Sequence, residues 1–297
     1  MKRLQLGVIG MSAGNGHPYS WSAIFNGYDA IAMEDCGFPV IPRYLEKQRF
    51  PDDQIPDATV THVWTQDATL SAHIARAAHI PHVVDQYSKM IGKVDAVLLA
   101  RDDAEHHYEF AKPFLAAGTP IYIDKPLALS VVEAQRLFDA QMFDSQIFSC
   151  SALRFAREFQ PDAPEVAVLG RLRYVAATVS KDWDKYAVHV IEPLLNLAKP
   201  VGELSATQTW RNGTVVTLSA SWTCGLQATI STLGDIPAPL ALRLVGEQGW
   251  KDLIFSDTFF AFKKALQMFI DGVRNNSQYI DRNDTMAVIR LIEAGRD

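Results

Sequence analysis

DAVLLARDDAEHHYEFAKPFLAAGTPIYIDKPLALSVVEAQRLF, residues Asp95 to Phe138, sets strand, helix, strand and helix in succession. Val94 to Ala100 is apolar apart from Asp95, as expected of a strand covered on both faces in a parallel sheet. Arg101-Asp102-Asp103 follows at its carboxyl end. A helix predicted from Ala104 to Ala117 stops at Gly118, the residue type suited to the backbone just past a helix. Ile121 to Ile123 forms the next strand and runs into Asp124-Lys125-Pro126. Pro126 cannot donate to a sheet ladder and pushes Lys125 into an extended conformation, which aims Lys125 at whatever lies above the strand's end. Ser130 and Glu133 stand in capping-box spacing at the start of a helix to Phe138.

The same alternation extends in both directions. Leu4 to Ile9 reads as a first strand that meets a small-residue turn, Gly10-Met11-Ser12-Ala13-Gly14-Asn15-Gly16, before an aromatic helix around Tyr19 to Phe25. Backbone N–H groups of such a turn, with the helix start behind them, suit a pyrophosphate. The strict GxGxxG spacing is absent: from Gly10, Ser12 and Asn15 hold the second and third glycine positions. Residues 26–57 carry four prolines and no clean periodicity, which predicts an insertion of loops and short helices. Ala58 to Trp64 alternates as a second strand and ends at Thr65-Gln66-Asp67, where a ribose reader is expected. A helix from Ala68 to Ala78, a short extended piece from Ile80 to Val84 and a short helix from Asp85 to Met90 lead to the opening stretch. Ile147 to Ser151 closes a first domain, 1–150, predicted to be a doubly wound parallel sheet. Its ligands belong outside the carboxyl ends of the strands, at Gly10, Thr65, Ala100-Arg101-Asp102 and Asp124-Lys125.

Beyond residue 150 the pattern changes. Strand-like runs at Leu172 to Val179, Ser205 to Trp210, Thr214 to Trp222, Gln227 to Leu233 and Leu240 to Val245 lack regular intervening helices. We expect a second α+β domain, 151–297, with a mostly antiparallel open sheet. One helix, Lys185 to Ala198, precedes most of these strands, and helices return at Phe259 to Arg274 and Asn283 to Ala294.

Composition narrows the function. With 297 residues, 48% hydrophobic and 21% charged, the chain suits two ordinary globular domains. A formal net charge of -6 without a Lys/Arg-rich run argues against nucleic acid or an anionic membrane as partner. Cys36, Cys150 and Cys224 are far apart and read as reduced core thiols, and the apolar start is too short for a signal segment. A cytoplasmic protein is expected. His106 and His107 are adjacent and diverge on a helix, so no metal site is expected, and no GxSxG nucleophile elbow is present.

The segment from Asp95 to Phe138 resembles the glucose-fructose oxidoreductase, inositol dehydrogenase and rhizopine-catabolism family of NAD(P)-dependent oxidoreductases. Asp124 stands where that family's Glu-Lys-Pro signature has glutamate, and His106 matches its helix-start histidine. Arg154, His189 and the closing helix around Met286 to Ala294 are similar to it as well. The resemblance implies NAD or NADP lying across the strand ends, with Lys125 and His189 flanking the reacting carbon of a sugar or polyol. It implies cofactor contacts from Gly10, Ser12, Ala13, Gly14, Asn15, Thr65, Gln66, Asp67, Ala100, Arg101, Asp102, His106, Asp124 and Lys125. Substrate contacts are expected from Lys125, Arg154, Trp183, Tyr186, His189 and His17. An oxidation of this kind needs a base for the hydroxyl proton, and histidine titrates near operating pH. The family often has aspartate one helical turn before the histidine; here Lys185 holds that position, with Asp184 before it and Glu192 three residues after His189, which leaves open a proton relay of His189 alone, of His189 with Lys185 or Asp184, or one altered altogether. Some relatives cleave glycosidic bonds with a transiently used nicotinamide, and a ligand-sensing protein without turnover is the other alternative. The exposed sheet of the second domain implies a homodimer or homotetramer.

Overall fold

The computed structural model describes residues 2–200 and 202–296. They pack as two compact units. The first takes the chain up to Leu127, then Gln135–Ser149 and Phe262–Ile280; the second takes Ala128–Ala134, Cys150–Ala261 and the chain from Asp281 onward. A linear division at residue 150 therefore omits two returns of the chain.

In the first unit the elements run β1 (Leu4–Ile9), α1 (His17–Asn26), α2 (Ala30–Glu34), α3 (Val40–Leu45), β2 (Ala58–Trp64), α4 (Ala68–Ala77), β3 (His82–Val83), β4 (Ala96–Leu99), α5 (His107–Ala116), β5 (Ile121–Ile123), α6 (Val131–Asp139) and β6 (Ile147–Phe148). The six strands form one parallel sheet in the order β3-β2-β1-β4-β5-β6. Strand order reverses between β1 and β4, which makes the crevice at their carboxyl ends the ligand position of such a sheet. Ile9 pairs with Leu99 and Leu99 with Ile123, so Gly10, Ala100 and Asp124 leave the sheet side by side. All four residues of β4 are buried, as its apolar run requires. α2 and α3 are the short helices of the insertion. At the start of α6 Ser130 Oγ accepts the Glu133 N–H and donates to Glu133 Oε2, so the first half of the predicted capping box forms and the two side chains bond each other. Phe269, on the returning helix, fills the space beside Tyr122 and Phe148 at centroid distances of 5.6 and 5.7 Å.

The second unit contains α7 (Ala163–Ala167), β7 (Leu172–Val179), α8 (Trp183–Tyr186), α9 (Val188–Ala198), β8 (Leu204–Asn212), β9 (Val215–Trp222), β10 (Gln227–Thr232), β11 (Ala241–Gly246), β12 (Trp250–Ile254), the start of α10 (Thr258–Asn275) and α11 (Arg282–Ala294). Its sheet runs β12-β11-β7-β10-β9-β8, and only β7 and β10 pair in parallel. β9 alternates between buried and half-buried residues along its length, the pattern of a sheet with one covered face. The helix expected from Lys185 begins at Trp183, because the Asp182 carboxylate accepts the Lys185 N–H, and it is interrupted at Ala187. β12 escaped the sequence reading because it is a polar edge strand. Lys251 and Asp252 interrupt its apolar pattern, and Asp252 pairs with Arg243 across the ladder. Among the described residues, no helix is long and apolar enough to cross a membrane.

Candidate active site

In the first unit, the turn after β1 is tied to the ends of β4 and β5 by its own side chains. Ser12 Oγ donates to Asp102 Oδ1 at 2.6 Å and accepts the Asp102 N–H at 3.1 Å. Asn15 Nδ2 donates to Asp124 Oδ2 at 2.8 Å, and His17 Nδ1 lies 2.6 Å from the same oxygen. Lys125 Nζ faces Asp102 Oδ2 at 3.5 Å, with both side chains 6% exposed. The result is a buried polar cluster, Ser12, Asn15, His17, Asp102, Asp124 and Lys125, at the sheet's switch point.

A second set of bonds shapes the start of the turn. The Gln66 amide accepts the Met11 N–H and donates to the Met11 carbonyl. Arg101 Nη1 donates to that carbonyl and to Gln66 Oε1, while the rest of its guanidinium pairs with Asp103. Gly10 allows close approach of α1: a Cβ there would lie 2.4 Å from Pro18 Cγ. Gly14, at φ +80°, has nothing within 4 Å of where a Cβ would sit, so a ligand can reach its backbone. Pro18 lacks an N–H and the His17 N–H is bonded to Asn15 Oδ1, so neither residue at the helix start has a backbone donor to spare for a pyrophosphate. With the carboxylate-paired Lys125 in the polar cluster, the open backbone at Gly14 suits a dinucleotide.

The remaining cofactor expectations separate. Asp67 Oδ1 accepts the N–H groups of Thr69 and Leu70, capping α4, and Thr65 is buried with its hydroxyl bonded to the Asp67 carbonyl and Ser71. Gln66 is thus the side chain of that trio reaching the turn. His106 is half exposed and meets Asp103 at 3.1 Å. Its neighbour His107, read from the sequence only as half of a rejected metal pair, is fully buried and bonds the carbonyls of Leu127 and Arg101, joining the loops after β5 and β4.

The second unit holds the other expected residues. His189 Nδ1 lies 2.8 Å from Ser151 Oγ, and the Ser151 N–H donates to Glu192 Oε2 at 2.6 Å. Arg154 pairs with Glu192 at 3.3 Å and with Asp284 at 2.8 Å. Burial pushes the Glu192 carboxyl up to about 7, against the opposing pull of Arg154. Asp184 pairs with Arg296 at 3.1 Å, and the Lys185 N–H is held by Asp182. Tyr186 sets its ring against His189 and its hydroxyl against Lys181. Trp183, 3% exposed with its indole N–H on the Ile292 carbonyl, is a packing residue rather than a sugar platform. Ser151 was not singled out because serine after a strand carries no specific signal. A cavity of about 750 Å³ in this unit is bordered by Arg154, Glu192 and Asp284 but not by His189. Among the described residues, no group of His, Cys, Asp and Glu could hold a metal ion.

Residues 41–150 match the model of an oxidoreductase family described as having an NAD-binding Rossmann fold. The match begins after the first turn, where the sequence departs from the usual fingerprint. No curated protein matches the sequence. Solved structures share the fold across the chain. Myo-inositol 2-dehydrogenase from Lactobacillus plantarum is 13% identical, with a TM-score of 0.74 over 99% of this chain and 96% of that one. UDP-N-acetylglucosamine 3-dehydrogenase from Acidithiobacillus ferrooxidans is 15% identical, with a TM-score of 0.71 over 100% and 97%. Biliverdin reductase from Synechocystis sp., solved with biliverdin and NADP+, is 12% identical, with a TM-score of 0.71 over 98% and 97%.

Proposed function

We propose that this chain, whose residues 41–150 match the model of an oxidoreductase family with an NAD-binding Rossmann fold, is an NAD(P)-dependent dehydrogenase or reductase similar to the glucose-fructose oxidoreductase, inositol dehydrogenase and rhizopine-catabolism family, and that its substrate is a sugar, polyol or sugar derivative. The observation that carries this reading is the buried Lys125 and Asp102 pair at the carboxyl ends of β5 and β4. Hydride transfer to or from a CH–OH carbon changes the charge on its oxygen, and an ammonium fixed where a substrate oxygen can meet it stabilises the developing alkoxide. The nicotinamide supplies the hydride acceptor or donor when bound. Ser12, Ala13, Gly14, Gln66 and Arg101 would hold its phosphates and ribose. Within the second unit taken by itself, His189, oriented by Ser151, is the group suited to a hydroxyl.

The fold alone does not set the substrate, since biliverdin reductase shares it. Support for a hydroxylated substrate comes from the two neighbours named as inositol and nucleotide-sugar dehydrogenases. Exposed Trp210, Trp250 and Ile254 on β8 and β12 suit association with a second copy, which static light scattering will test.

The test of function is a titration of NAD+ and NADP+ followed by tryptophan fluorescence, then a panel of inositols and nucleotide sugars watched at the absorbance of reduced nicotinamide. Turnover of a panel member is expected. Nicotinamide binding with redox-neutral cleavage of a glycoside would replace this reading with glycosidic-bond cleavage. Binding without any turnover would favour a ligand-sensing role.

A further inference from the structure

We infer that His17 and Asp124 form a proton-exchanging dyad within the first unit, in which His17 Nε2 takes up or returns the substrate's hydroxyl proton. This deepens the oxidoreductase reading above and rests on it.

The geometry is that of an oriented imidazole. Asp124 is 1% exposed, and its carboxylate oxygens meet Asn15 Nδ2, the Lys125 N–H and His17 Nδ1. A carboxyl engaged with Asn15 Nδ2 and the Lys125 N–H is an acceptor, so the proton between it and the imidazole belongs on His17 Nδ1. Nε2 is then the nitrogen left to exchange a proton, and among the described residues it has no hydrogen-bond partner. The ring is fixed on both sides: it stacks on Trp21 at 4.7 Å and 15°, and it meets Phe262 edge-on at 5.0 Å and 75°. Its backbone N–H is held by Asn15 Oδ1 at 2.8 Å. The side chain is nevertheless 16% exposed, which leaves the ring reachable.

The other histidines that the sequence brought forward lack this combination. His107 is fully buried with both nitrogens against carbonyls. His106 meets Asp103 but is half exposed and, among the described residues, is held by no ring contact. The Nδ1 of His189 faces a serine hydroxyl. A carboxylate on Nδ1 fixes the tautomer and stabilises the imidazolium that forms when Nε2 gains a proton, a division of labour known from catalytic triads. Asp124 also directly precedes Lys125, so base and ammonium are set by one strand end.

The step balances as follows. In oxidation the C–H bond breaks and its hydride leaves to the nicotinamide; the O–H bond breaks and its proton goes to His17 Nε2. The electron pair of the O–H bond becomes the second bond of the carbonyl. Asp124 accepts the His17 Nδ1–H in both directions and itself exchanges no proton with the substrate. In reduction each transfer reverses, and His17 returns the proton to the oxygen.

Two measurements test the dyad. Diethyl pyrocarbonate acylates unprotonated imidazole, and peptide mapping reads each histidine without any turnover. His17 is expected to be acylated in the free enzyme, to be shielded by added NADH, and to react more slowly in Asp124→Asn. In the second, His17→Gln keeps an amide N–H for Asp124 but cannot carry a proton. It is expected to lower kcat by about 10²–10⁴-fold, while NADH affinity and melting temperature stay near those of the parent. His17→Ala, lacking the N–H, is expected to lose melting temperature as well. An unreactive His17, or a His17→Gln enzyme with parental kcat, would overturn the proposal. Should no hydroxylated substrate turn over, the substrate reading fails, and the acylation result still decides whether His17 presents an accessible basic nitrogen under Asp124's control.

Discussion

Lys125 Nζ and Asp102 Oδ2 face each other at 3.5 Å, buried to the same degree, one after β5 and the other after β4. A charge left alone in such a place is costly, whereas removal of both charges is far less so. Loss of one partner of a buried pair costs about 3–5 kcal/mol.

Asp102→Leu is therefore expected to destabilise the protein by about 3 kcal/mol, with much of the loss recovered in Asp102→Leu/Lys125→Met. Urea denaturation of the two single variants and the double variant measures the coupling. Strict additivity would mean that the two groups do not depend on each other. Lys125→Met alone should also abolish turnover while the protein stays folded.

Asp67 is the acid two residues past Thr65, at the strand end where a ribose reader is expected, yet its carboxylate caps α4 through Thr69 and Leu70. Asp67→Ala should cost about 1 kcal/mol, the usual loss of an N-cap. Its ratio of NAD+ to NADP+ affinity should not change. A shift of that ratio by tenfold in fluorescence titrations would return Asp67 to the cofactor.

The Rossmann sheet was legible because its strands are short apolar runs that end in punctuation, as at Ala96–Leu99 before Arg101 and Ile121–Ile123 before Asp124. Lys125 was legible for the same reason. His17 was legible only as one expected substrate contact among several. Its partner could not be read, because Asp124 is 107 positions away in sequence and becomes adjacent only through the register of β1, β4 and β5. Ser151 and Glu192 were hidden differently: they act on one another through a backbone N–H, which any residue type supplies. β12 was missed because an edge strand can carry charge on residues that a central strand would bury.

Ser151 holds two ends of the second cluster. Its hydroxyl meets His189 Nδ1 and accepts the Leu153 N–H, capping the turn at Ala152–Phe155. Ser151→Ala is expected to lose about 1 kcal/mol in stability and to let the His189 ring populate both tautomers. Imidazole nitrogen NMR reads the tautomer directly. A His189 spectrum identical to the parent's would show that Ser151 does not orient the ring.

Glu192 gives the molecule a pH dependence whose sign follows from burial. Its carboxyl is 4% exposed, and removal from water lifts it to about 7, a stronger effect than the opposing pull of Arg154 and the Ser151 N–H. In the unfolded chain a glutamate titrates near about 4.3. Between those two values the folded protein holds a proton that the unfolded chain has released, so stability declines as pH rises through the window. The contribution is fully present below the unfolded value and lost above the folded one, at about 1.4 kcal/mol per pH unit at most. Glu192→Gln stays neutral at every pH and keeps an oxygen for the Ser151 N–H. Urea denaturation from about pH 5 to pH 8 should therefore show a flatter decline in the variant than in the parent, the two differing most at the alkaline end. Parallel curves would mean that Glu192 is ionised across the whole range and that Arg154 outweighs the cost of its burial.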